Sequence, residues 1–330
     1  MKTFDVTRRP LAVQLLLALP VCALGLVRHF LAPHALETVG FSSMPWAEAI
    51  SAWSAAHPVW NAVCIAACLF LGAIFLTRIM LQYSVVRSRN HVSFILYIYI
   101  STFVMPSQTL VGALCGLITT LASLYAARSF RKGYRFDAVF KCALLFGLLP
   151  LLYAPMIIVV AVVPLLLSLL RRRSREIICS VAGLLLPVSA VGYLYWCRGY
   201  GVGHMLWYMW NEAAGYDYRV PLHDIPFSVS AVLFVLVAAA AVSIFVFYSS
   251  RTGMRAKPYG IMLFFCFMLV LMSAVLFMGG SNAISFSILS VPATAVVSYL
   301  ISCGHNRLSL ATYYVITLGI IVSDVVLLML

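Results

Sequence analysis

Apolar runs, many of them as long as the roughly 30 Å hydrocarbon core of a bilayer demands, dominate this chain, and nothing constrains its fold more. Reading each run as a span gives eleven: roughly 11–31, 60–82, 91–105, 108–127, 138–149, 153–170, 177–197, 228–249, 259–278, 286–302 and 309–328. Threading them alternately through a membrane sorts the basic residues. With the N-terminus inside, the inner segments carry Lys2, Arg8, Arg9, Arg87, Arg89, Arg128, Arg131, Lys132, Arg135, Arg171, Arg172, Arg173, Arg175, Arg251, Arg255, Lys257 and Arg307. The outer segments carry only Arg198 and Arg219. Loop cations resist translocation and so fix orientation. The expected architecture is all-α, a polytopic transmembrane helix bundle with its N-terminus cytoplasmic and its C-terminus outside.

Composition agrees. Hydrophobic residues make up 64% and charged residues 9%, where a soluble protein carries about 25% charged. The net charge of +13 invites nucleic acid as a partner, but the cations form short clusters at span ends. Anchoring on the inner side, with some contact to anionic lipid headgroups, accounts for them without nucleic acid. The first span has the basic start and apolar core of a signal peptide. Arg28 and His29 follow that core without a small-x-small cleavage site, so the span is expected to be retained. The nine cysteines fall mostly within spans and read as small packing residues, with no ligand spacing that suggests a metal.

No soluble domain interrupts the pattern, so residues 1–330 read as one membrane domain. Its longer loops, about 32–59 and 198–227, are both outer. All the tryptophans gather there too: Trp46, Trp53, Trp60, Trp196, Trp207 and Trp210. An indole is apolar with one N–H that wants water, so it settles at the headgroup level. Residues 45–57 predict an interfacial helix, with Pro45 in the first turn and Trp46, Ile50 and Trp53 on one face. Residues 203–212 predict a second, with Leu206, Trp207 and Trp210 opposite His204, Tyr208, Asn211 and Glu212.

Short broken helices are expected in the middle of the chain. Residues 138–170 form an apolar run interrupted only by Lys141. As one helix it would be roughly 50 Å long, too long for the bilayer, and basic clusters flank both ends. The run must go up and return, with Pro150 and Pro155 as the breaks. Residues 91–127 repeat the plan around Pro106-Ser107-Gln108. Short spans are tolerated where protein shields them or where they line a cavity, here one opening to the outer side.

Motifs of soluble enzymes are missing: no phosphate-binding Gly-rich loop, no His-Glu-x-x-His and no Gly-x-Ser-x-Gly. Candidate chemistry gathers on the outer side. Arg28, His29, His34 and Glu37 follow the first span, and Glu48 lies in the interfacial helix. Arg198, His204, Glu212, Asp217, Arg219, His223 and Asp224 occupy the second loop. Glu37 or Glu48 suits a general base. Arg28, His29, His34, Arg198, His204 and Arg219 suit a phosphate or diphosphate on a lipid. The same set offers oxygen and imidazole ligands to a divalent cation, without a fixed spacing that defines a metal site. Lys141 and Arg78, near inner span ends, read as snorkelling side chains.

Residues 60–200 resemble the integral-membrane glycosyltransferases of the GT-C type. The likeness rests on Arg128-Ser-Phe-Arg131-Lys-Gly-Tyr-Arg135, then Ala143-Leu-Leu-Phe-Gly-Leu-Leu-Pro150, then Tyr153-Ala-Pro155, a Leu-rich run and Arg171-Arg-Arg-Ser-Arg-Glu176. The whole chain also looks like a bacterial multi-pass family related to that fold. The resemblance implies an inner-membrane protein of envelope biogenesis that transfers a sugar from a polyprenyl-phosphate donor on the outer face. A catalytic carboxylate would lie in the first outer loop. That family often shows an adjacent acidic pair there, whereas Glu37 and Glu48 stand apart in this chain. The departure keeps open a non-catalytic subunit or scaffold of the same fold, and a third reading is a transporter or flippase.

Overall fold

The computed structural model describes residues 44–86, 91–103, 109–130, 134–169, 174–215, 256–277 and 283–303, with Leu16, Leu19 and Pro20. All the regular structure among these residues is helical. In chain order the helices are α1 (Pro45–Ala56), α2 (Pro58–Gln82), α3 (Val92–Phe103), α4 (Leu110–Ser129) and α5 (Phe136–Leu152). They are followed by α6 (Met156–Leu169), α7 (Ser174–Cys197), α8 (Val202–Gly215), α9 (Ala256–Phe277) and α10 (Ala283–Cys303). Four are long and apolar enough to cross a membrane: α2, α4, α7 and the Ile284–Ser302 part of α10. The protein is therefore read as an integral membrane protein, multi-pass in these spans. The expected spans 11–31, 228–249 and 309–328 lie outside the described residues, as does the expected break at 106–108.

Local sequence explains the helix ends. Pro45 and Pro58 open α1 and α2, where a missing N–H costs nothing. The Thr109 hydroxyl caps α4 by accepting from the Gly112 N–H at 3.1 Å. The 138–170 run is two helices, as its length requires, but the break differs from the expected one in detail. Pro150 lies inside α5, and the chain leaves the helix at Tyr153, whose backbone is extended. Pro155 then disfavours a helical conformation at Ala154, and α6 starts at Met156. The turn is covered by protein: Tyr153, Ala154 and Met156 are buried, and the Tyr153 hydroxyl lies 3.1 Å from Ser285 Oγ of α10.

Helices α5 and α7 run parallel. The Arg135 N–H donates to Glu176 Oε1 at 2.8 Å. Further along, a Cβ on Gly183 would sit 2.9 Å from the Phe140 carbonyl, and one on Gly147 would sit 2.6 Å from the Leu184 carbonyl. Backbone thus meets backbone, and only glycine permits the approach. The parallel pairing requires the intervening α6 to return, so the two helices of the 138–170 run form a hairpin. Glu176, almost fully buried, ties the start of α7 to the start of α5. It brings Arg135 and Arg175, at the starts of the two helices, to one end of the bundle.

At the centre, α2, α3, α4 and α10 converge on Tyr97. A Cβ at Gly72 of α2 would lie 2.8 Å from its hydroxyl, and one at Gly116 of α4 would lie 3.2 Å away. The same hydroxyl is hydrogen-bonded with Thr120 of α4 and Ser290 of α10. Gly112 and Gly116 form a G-x-x-x-G step that lets α4 approach Ser287 of α10.

Candidate functional site: the aromatic end of the bundle

The bundle has two chemically distinct ends. At one end Phe130, closing α4, packs against Gly260 near the start of α9. Arg135 meets Glu176 there, and Arg128, Lys141 and Arg175 lie close by in sequence. The opposite end holds the N-terminus of α2, the C-termini of α5 and α7, and the start of α10 through Tyr153 and Ser285. Helix α1 packs across it against α2, α4 and α5, and α8 packs against α7.

Every tryptophan belongs to this second end: Trp46 and Trp53 on α1, Trp60 at the start of α2, Trp196 at the end of α7, Trp207 and Trp210 on α8. Each is between 40% and 66% exposed. The expected helix at 45–57 is α1, and the one at 203–212 is α8. Both turn their tryptophans away from the protein, while Ile50 of α1 packs against the core. Helix α1 instead buries Ala47, with Met44 just before it, and α8 buries Met205 and Met209. Flexible thioethers fill the irregular seam beneath each helix, while the indoles are left to the surrounding solvent or lipid.

Of the residues singled out in the sequence, Glu48 and Arg198 are described with their side chains. Glu48 is exposed in the first turn of α1, where a carboxylate complements the helix dipole. Arg198 is exposed just past α7, and its N–H closes that helix on the Leu194 and Tyr195 carbonyls. Gly199 then turns the chain at a φ of +84°, a conformation that favours glycine. Glu48 of α1 and Arg198 at the end of α7 both lie within electrostatic range of the Tyr195 hydroxyl, together with Tyr200 and Tyr208. His204 lies on α8, but only its backbone is described. Arg28, His29, His34, Glu37 and Arg219 lie outside the described residues. So do residues 32–43 and 216–227 of the two outer loops.

Tyr195 and Tyr200 are the residues that sequence reasoning passed over, while Tyr208 was placed on the polar face of its helix. Tyrosines at a span end share the amphipathic logic of tryptophan, and that signal is present at residues 193–200. Among the described residues, no group of three or more His, Cys, Asp or Glu side chains could hold a metal ion. Lys141 behaves as a snorkelling side chain: its ammonium pairs at 2.8 Å with Asp137, one turn nearer the basic end.

This arrangement puts an exposed guanidinium and an exposed carboxylate at the same end of the bundle. Arg198 and the tyrosine hydroxyls can donate to phosphate oxygens, beside an exposed carboxylate able to accept a proton. Comparison of the chain with protein-family models, with curated proteins and with solved structures finds no match in any of the three.

Proposed function

We propose that this is a multi-pass protein of the bacterial inner membrane, acting in cell-envelope biogenesis on a phosphate-bearing lipid at the outer leaflet. The observation that carries the reading is the placement of Glu48, Arg198 and every tryptophan at one end of the bundle, while basic clusters mark the other. Cations favour the cytoplasmic side, which puts the aromatic end outside. In a GT-C-like reaction there, Glu37 or Glu48 takes the proton of an acceptor hydroxyl. Arg198, Arg219 and Arg28 hold the phosphate of a polyprenyl-linked sugar, with His29, His34 and His204 beside them. The lipid phosphate departs as the new glycosidic bond forms.

A reconstituted transfer assay with a lipid-linked sugar tests this. Of Glu37→Gln and Glu48→Gln, one should lower transfer by about 10²–10⁴-fold, the loss typical of a missing general base, and the other should change it little. Full activity in both variants overturns the mechanism. The exposure of Glu48 favours a second reading, a non-catalytic subunit of the same architecture. On that reading the wild type transfers nothing, and the variants lose a protein partner instead.

A further inference from the structure

We propose that the paired faces of α4 and α5 bind an anionic phospholipid, its phosphodiester held at the basic end of the bundle by Arg128 and Lys141. Two cations on different helices converge on one ring. The Arg128 guanidinium carbon lies 5.1 Å from the Tyr125 ring centroid, and the Lys141 ammonium lies 5.9 Å from it. Lys141 is 49% exposed and is steadied by the still more exposed Asp137 at 2.8 Å. An ammonium has three donors and a guanidinium five, so both retain N–H groups for a ligand after these contacts. Asp137 offsets one of the two cations. The remaining single positive charge matches a singly charged phosphodiester better than a multiply charged free phosphate.

Beyond the cations, the same two helix faces become aliphatic. On α4, Leu121, Ile118 and Leu117 continue the stripe of Arg128 and Tyr125 at helical spacing. On α5, Leu145 and Leu148 continue that of Lys141, and all five are half-buried. Tyr125 meets Lys141 as α4 approaches its end and α5 leaves its start, so the helices are antiparallel and the two aliphatic stripes run side by side. Cations at one end and branched aliphatics along the length suit a headgroup and an acyl chain together. A soluble anion would use the cations and leave the aliphatic wall unused.

The test uses the full chain in vesicles of phosphatidylcholine with and without phosphatidylglycerol. Retained lipid is read by native mass spectrometry and stability by thermal melting. Phosphatidylglycerol should raise the Tm and survive purification. Arg128→Gln and Lys141→Gln should each weaken its retention about fivefold, the effect of one membrane-proximal cation. Leu121→Trp, which reshapes the aliphatic face and leaves both cations, should weaken it as well. Arg78→Gln removes a cation from α2 instead and should leave retention unchanged. The proposal is overturned if Arg78→Gln matches Arg128→Gln, since the attraction is then diffuse. It is also overturned if Leu121→Trp has no effect, or if inorganic phosphate alone shifts the Tm as far as the lipid does.

Discussion

Helices α10 and α7 invert the rule of soluble proteins. In α10, 94% of the membrane-length window is buried within the protein, against 33% in α7. Yet the membrane-length window of α10 carries more hydroxyls, with Ser285, Ser287, Ser290, Thr294, Ser298 and Ser302 along it. Helix α7 turns Ile178, Val181, Leu185, Leu186 and Leu194 outward. Water would drive these placements the other way. Lipid tails are as apolar as leucine, so an outward leucine loses nothing, and helix association gains from close backbones and shared hydroxyls. Three of these six hydroxyls bond within their own helix, Thr294 to the Ser290 carbonyl, Ser290 to that of Ser287 and Ser302 to that of Tyr299. For those three, burial inside the bundle leaves no donor unmet.

The contrast can be broken by mutation. The largest effect is expected at the α4–α10 seam, where Gly116→Leu drives a side chain into Ser287 and Tyr97. Overpacking there should cost about 3 kcal/mol, read as a fall in the unfolding midpoint in mild detergent. A variant as stable as the parent would mean that the seam is looser than it looks. Tyr97→Phe keeps the ring wedged between Gly72 and Gly116 and removes only the hydroxyl bonds to Thr120 and Ser290. It should cost about 0.6 kcal/mol, the usual worth of an interhelical hydrogen bond in a membrane. Smallest of all, Leu185→Ala on the outward face of α7 should change stability by less than about 0.5 kcal/mol. A cost there equal to that of Gly116→Leu would make this face a protein interface, and the contrast between the two helices would fail.

The helices themselves were legible in the sequence. Apolar run length placed α2, α4, α7 and α10 within a few residues, and the Trp46–Trp53 spacing located α1. Length against bilayer thickness also located the 138–170 hairpin. Pro150 misleads because a membrane helix tolerates a proline whose freed carbonyl is covered by neighbours; the extended backbone at Tyr153 decides the break instead. At the aromatic end, the clustering of charges pointed to Glu48 and Arg198. Tyr195 was not legible as their shared neighbour, because that depends on how α1 and α7 rotate against each other. Gly112 and Gly116 display their motif openly, but the sequence does not name Ser287 as what they press against.

The contact between Tyr153 and Ser285 has a consequence for the order in which the molecule is made. The two residues are 132 positions apart, and a chain emerges from the ribosome N-terminus first. The α5–α6 hairpin is therefore synthesised well before α10, and for that interval its turn lacks the hydroxyl that later meets Tyr153. Helix α10 acts as a late-arriving keystone at this turn: Ser285 meets a tyrosine hydroxyl that the earlier helices hold without it. A chain stopped before residue 283 would leave Tyr153 without that partner, which makes α10 a condition for the hairpin turn to reach its final form.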